Sequence, residues 1–147
     1  MFDLILTMLI HLSNLTLSLA DQLIPSNGSL NYYERVKQVV PDIDDFYRYF
    51  EVPGVAHCFG GNGAIPVFAI DNLMGWVEKG DPPEMLEGAR LPGVGGSPTG
   101  KAIKRAICPY PKVAKYKGGD EALLASWECA DKFAKPVKAD KKKHDEL

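Results

Sequence analysis

The chain has 147 residues, of which 46% are apolar and 24% charged, and its formal net charge is −2. That length bounds it to one domain at most, and the composition is globular rather than disordered. Lysines and arginines are scattered except at the C-terminus, which argues against the basic, aromatic-studded face of a nucleic-acid binder.

Residues 1–20 are dominated by Leu, Ile and Met, and Ser18-Leu19-Ala20 places small residues where a signal peptidase cleaves. Asp3 stands where a signal has basic residues, and His11, Ser13 and Asn14 interrupt the run. The segment is read as signal-like or as an aberrant apolar stretch, with a buried strand as the bland alternative. It is too short and too polar for a stable membrane span. Asn14-Leu15-Thr16 and Asn27-Gly28-Ser29 are glycosylation acceptors, a pattern common by chance.

Pro25-Ser26-Asn27-Gly28 predicts a turn, and Ser29 a cap for a helix running to about Val40. Leu30, Tyr33, Val36, Val39 and Val40 repeat on that helix at helical spacing, and Pro41-Asp42 stop it. Residues 45–52 read as a buried, aromatic-rich strand, and the Gly- and Pro-rich stretch 53–66 as a loop. Pro66 opens a second helix, 66–79, with Val67, Ile70, Leu73, Met74 and Val77 as its apolar stripe and Gly80 as its terminator. Residues 81–100 read as irregular, 101–108 as a short strand, Cys108-Pro109-Tyr110-Pro111 as a turn, and 120–127 as a short helix. From Ala134 onward lysine and aspartate dominate, which predicts a disordered tail. The resulting division is an apolar segment 1–20, a domain 21–133 and a charged tail 134–147.

The strand–loop–helix order suits the last third of an α/β fold, and the few strands predicted leave its sheet incomplete. The chain ends His144-Asp145-Glu146-Leu147, which a receptor reads as an endoplasmic-reticulum retrieval address. The three cysteines, Cys58, Cys108 and Cys129, have no C-x-x-C spacing, and only three histidines accompany them, so no zinc site is expected. In an oxidising compartment two could pair and one would be left over.

Gly95-Gly96-Ser97-Pro98-Thr99-Gly100-Lys101 is close to a phosphate-binding loop, but Ala102 stands where the Mg²⁺-binding hydroxyl belongs. No strand is predicted before it and no helix after it, so a flexible loop is the better reading. Ser97 fails as a nucleophile, because Thr99 replaces the second glycine of the elbow and Pro98 blocks helix entry. Cys58 adjoins His57, and neighbours on an extended chain point opposite ways, so a disulfide role suits Cys58 better than a catalytic thiol.

His57 is the informative residue. It sits on the glycine-bounded loop Val52-Pro53-Gly54-Val55-Ala56-His57-Cys58-Phe59-Gly60-Gly61, after Phe46-Tyr47-Arg48-Tyr49-Phe50 and downstream of Asp21. An acid followed by a histidine on such a loop closes an α/β-hydrolase triad, whose chain order is Ser, Asp or Glu, His. The serine should come first, and the expectation is that it lies upstream of this chain.

Six separated stretches, in order, carry a family resemblance. They are Leu19-Ala20-Asp21-Gln22-Leu23-Ile24-Pro25, Tyr32-Tyr33-Glu34-Arg35-Val36, Phe46-Tyr47-Arg48 running into Val52-Pro53-Gly54, His57-Cys58, Trp76-Val77-Glu78-Lys79-Gly80, and Arg105-Ala106-Ile107-Cys108-Pro109-Tyr110-Pro111. Over roughly residues 19–129 the chain resembles the tannase and feruloyl esterase family of serine esterases. The resemblance implies the C-terminal part of a disulfide-stapled α/β-hydrolase fold with its sheet incomplete. It implies Asp21 as triad acid, His57 as general base, and Cys58 as half of a disulfide to a cysteine beside the serine. Cys108 and Cys129 correspond to a C-terminal disulfide, a loop closure worth about 3 kcal/mol.

The same resemblance places the nucleophile, the oxyanion hole and a calcium-binding lid upstream, so no cofactor is expected in this chain. Leu17-Ser18 replace the His-Gly pair usual before the Leu-Ala-Asp stretch. The expected function is a carboxylic ester hydrolase acting on phenolic esters, with this chain inactive alone. The rival is a non-catalytic lumenal binding or assembly module, self-associating or pairing with a complementing chain. The expected location is the secretory pathway, or the endoplasmic-reticulum lumen if the terminal tetrapeptide is read.

Overall fold

A computed structural model of the chain describes residues 16–57, 60–90 and 102–132. Among these residues, seven short strands fall into three small sheets. Strands β1 (Thr16–Ser18) and β2 (Phe50–Val52) pair in parallel, with Thr16 opposite Phe50 and Ser18 opposite Val52. Strands β3 (Ile65–Val67), β4 (Leu86–Arg90) and β5 (Ile103–Ile107) form an antiparallel sheet in that order. Strands β6 (Lys112–Tyr116) and β7 (Trp127–Asp131) form an antiparallel hairpin. The architecture is α/β with partial sheets.

The first helix, α1 (Ser26–Val39), starts three residues before the expected Ser29 cap. Pro25 occupies the N-cap with φ −58°, an angle its ring imposes and a helix start accepts. Tyr33 is the fully buried residue of α1; Val39, assigned to the apolar stripe, is 78% exposed. The second helix, α2 (Ala69–Lys79), starts at Ala69 rather than Pro66. Pro66 instead lies in β3, an edge strand, where its missing N–H costs no ladder bond. Phe68, between them, takes the left-handed conformation at φ 58°, which non-glycine residues seldom adopt. Gly80 ends α2 in the left-handed region, as its sequence position implied.

The aromatic run at 45–52 is mostly not strand. Ile43–Asp45 form a 3₁₀ turn and only Phe50–Val52 join a ladder. Tyr47 and Tyr49 are buried by packing instead. Tyr33 stacks on Tyr49 with centroids 5.5 Å apart and meets Tyr47 and Tyr110 edge-on. These rings, with Ile43, Phe50, Val52, Val55, Leu86 and Ile107, make the core that holds α1 against β2. The Tyr33 hydroxyl donates to the Asp44 carboxylate, which Lys37 also binds at 2.7 Å. Burial and that carboxylate hold the Tyr33 phenol well above its ordinary range. Arg48 donates to the Pro83 carbonyl and pairs with Glu84, and its guanidinium lies 5.5 Å from the Trp76 ring centroid, tying α2 to the core side.

The stretch 81–100, read as irregular, contains β4, which pairs on both sides. Gly88 and the nearby prolines hide it in the sequence. A Cβ at Gly88 would crowd Ile107 and Ala64, so the glycine permits close packing. The helix expected over 120–127 is only a 3₁₀ turn, Leu124–Ser126, leading straight into β7. The phosphate-loop-like motif and Ser97 lie outside the described residues. A strand, β4, does precede that motif, and the next element is the strand β5 rather than a helix.

Leu86 is fully buried where the β4–β5 ladder meets the tyrosine cluster. Leu86→Ala is expected to destabilise the fold by about 2–5 kcal/mol, measured as the loss in urea unfolding free energy.

Candidate active site

The parallel β1–β2 ladder continues past its last pair. Leu19 N–H donates to the Val52 carbonyl at 3.1 Å and Ala20 N–H to the Val55 carbonyl at 3.2 Å. The two chains therefore leave the sheet side by side, one turning at Asp21 and the other entering the loop that bears His57. Thr16–Ser18 thus act as strand in the segment read as signal-like.

Asp21 uses both carboxylate oxygens. Oδ1 accepts the backbone N–H groups of Leu23 and Ile24, each at 2.8 Å. Oδ2 lies 2.9 Å from His57 Nδ1. The Asp21 side chain retains only 7% of its exposure, and the His57 side chain 32%. The cover over Asp21 is local, built from its own turn and the imidazole rather than from deep packing. The Ile24 amide, then the imidazole contact, lower its pKa to about 2. An ionised carboxylate only accepts hydrogen bonds, so Nδ1 carries the proton in this pair. The other ring nitrogen, Nε2, has no hydrogen-bond partner among the described residues.

The histidine loop is shaped by glycine. Gly63 N–H donates to the Gly54 carbonyl at 2.8 Å, Ala56 N–H to the Gly60 carbonyl at 3.2 Å, and Val55 bridges Gly61. A Cβ on Gly61 would collide with the Gly54 carbonyl, and one on Gly63 with the Pro53 carbonyl. Only glycine lets the loop close on itself and hold His57 at its tip.

Gln22, not singled out from the sequence, makes a long contact from Oε1 to the His57 backbone N–H, 3.5 Å. Its position directly after the acid was the one available signal. Cys58 lies outside the described residues. Cys108 and Cys129 form a disulfide with Cα atoms 5.5 Å apart, joining the end of β5 to β7. Among the described residues no group of three or more His, Cys, Asp or Glu is placed to hold a metal ion.

A family model described as tannase and feruloyl esterase matches residues 9–130. The chain belongs to the tannase and feruloyl esterase family. The match begins upstream of the stretch at 19–25 and takes in β1. The chain is 39% identical over 120 residues to a probable feruloyl esterase of Arthroderma benhamiae, covering 78% of this chain and 22% of that protein. It superposes on the crystal structure of an esterase from Aspergillus oryzae with a TM-score of 0.67 and 34% identity, covering 78% of this chain and 26% of that one. Feruloyl esterase B from the same organism gives 0.63 and 29%, with the same coverage. This family member thus spans about a quarter of the length of the relatives it matches.

The lowered Asp21 pKa sets a pH dependence. In the unfolded chain the group titrates near 3.8, in the folded chain near 2, so the unfolded state binds more protons between those values. The stability contributed by the Asp21 contacts is full above that window and is lost as pH falls through it. The stability difference between wild type and Asp21→Asn, followed by urea unfolding, is expected to stay constant at neutral pH and to shrink between about pH 4 and pH 2. The same substitution removes the carboxylate acceptor, and the downfield Nδ1 proton resonance expected for His57 should disappear with it.

Proposed function

We propose that this chain carries the acid and the general base of a serine carboxylic ester hydrolase acting on phenolic or aromatic-acid esters. The observation that carries the reading is the ionised Asp21 carboxylate, oriented by two backbone amides, 2.9 Å from His57 Nδ1. In this mechanism Nε2 of His57 takes the proton of a serine hydroxyl as the serine oxygen attacks the ester carbonyl. Asp21 holds the imidazole in the required tautomer and stabilises its cation. The imidazolium then protonates the departing alcohol, and water repeats the sequence on the acyl-enzyme. Among the described residues no serine hydroxyl bonds to His57, so the reading assigns the nucleophile elsewhere and expects no turnover from this chain alone.

The relatives named feruloyl esterases support an aromatic acyl group as the substrate class. The Cys108–Cys129 disulfide supports an oxidising compartment, in line with the secretory pathway and with retrieval through His144-Asp145-Glu146-Leu147. Among the described residues no helix is long and apolar enough to cross a membrane. Cys58 is assigned a partner cysteine beside the nucleophile serine.

A second reading, an assembly module that pairs with a complementing chain, is favoured by the exposed apolar side chains Leu23, Ile24, Phe68, Ile70 and Met74. Purification of the chain as a monodisperse monomer at high concentration would argue against it.

The hydrolase reading is tested by a chimera in which residues 19–130 replace the matching segment of a fungal feruloyl esterase. The expected result is hydrolysis of methyl ferulate, reduced by about 10⁴-fold in kcat by His57→Ala or Asp21→Asn. A folded chimera that is inactive, or one indifferent to His57→Ala, rejects the assignment. Turnover by the isolated chain would reject only its predicted inactivity.

A further inference from the structure

A cavity of about 320 Å³ lies between the β4–β5 strands, the β6–β7 hairpin and the base of the histidine loop, and neither Asp21 nor His57 lines it. Its walls are mostly apolar, with Ile103, Ile107 and the Trp127 indole among them, and two arginines enter it, Arg90 and Arg105. The strand register explains how they meet. Arg90 lies opposite Ile103, and Gly88 opposite Arg105, so both arginines stand on one face as diagonal neighbours. Over Gly88, which has no side chain, Ile107 and Ala64 pack closely and form the apolar floor beside the two arginines.

The neutralising acid of this sheet is on the wrong side. Glu87 projects from the opposite face and pairs with Lys104 at 2.8 Å. Among the described residues no carboxylate pairs with either guanidinium. Arg105 is held in place by the Lys104 and Glu121 carbonyls and lies 4.4 Å from the Trp127 ring centroid. Arg90 Nε is buried and has no hydrogen-bond partner among the described residues. Buried donors are nearly always satisfied, and like charges set side by side call for an anion between them.

We propose that this cavity binds a small monocarboxylate with an apolar body, its carboxylate bridging Arg90 and Arg105 and its body against Ile103, Ile107 and Trp127. The size suits a single ring, and a guanidinium presents paired donors that match a carboxylate. The inference is independent of the hydrolase reading, since it uses none of the Asp21–His57 geometry.

The test is titration of the full chain with benzoate, against benzamide as the uncharged isostere, by calorimetry and by the shift of the Trp127 indole N–H resonance. Saturable benzoate binding that benzamide does not reproduce is expected. Arg90→Gln should weaken it by about tenfold or more. Ala114→Phe, at an exposed lining position, should block the cavity without changing its charge, and circular dichroism verifies that both variants fold. Absence of saturable benzoate binding, equal binding of benzamide, or undiminished binding by both folded variants would overturn the proposal.

Discussion

The parallel pairing of Thr16–Ser18 with Phe50–Val52 is the constraint on which the contact between Asp21 and His57 depends. Parallel strands run out at the same end of a sheet, so the segments following them start as neighbours. Asp21 follows β1 by three residues and His57 follows β2 by five, and both therefore reach the same end of the ladder. An antiparallel register would send the two turns to opposite ends. Two further backbone bonds, from Leu19 and Ala20, carry the pairing up to the acid itself.

Three residue pairs do not make a stable sheet alone, and the rest of the fold supplies what they lack. Phe50 and Val52 project into the core, where Tyr33, Tyr47 and Tyr49 pack α1 against β2. On its other side Phe50 bridges Pro109, and Tyr110 N–H donates to the Tyr49 carbonyl at 2.7 Å. The next residue toward β5, Cys108, is tied by its disulfide to β7. The strand that precedes the histidine is thus held from the helix side, from the β5–β6 turn and through the disulfide. The tight glycine loop transmits that rigidity to His57, and the Asp21 turn supplies the matching rigid acid.

Residue type, order and flanking blocks linked Asp21 to His57 before any coordinates, and the structure brings the two side chains to 2.9 Å. The disulfide between Cys108 and Cys129 was legible through the same resemblance. The helix cores were legible from periodicity, although Pro66 misplaced the start of α2: a proline suits an edge strand as well as a first helical turn. Strand β4 was not legible, since Gly88 and the prolines before it imitate a loop while its pairing on both sides overrides local propensity. Strands β6 and β7 were hidden by dense charge on a partly solvated hairpin. The aromatic run misled in the opposite direction, with β-prone residues packing as a ring cluster outside any ladder.

The sequence by itself determined the groups available: Asp21 upstream of His57, glycines that bend the chain around that histidine, and cysteines able to pair. Tertiary structure alone decided which atoms meet. The 2.9 Å contact, the proton on Nδ1 and the low Asp21 pKa arise from strand register and from two amides of the Asp21 turn. The placement of Arg90 and Arg105 on one face as diagonal neighbours is likewise a matter of register, which a one-residue slip would abolish. Side-chain identity is a local property of the chain, whereas hydrogen-bond distance between residues far apart in sequence is set by how the strands align.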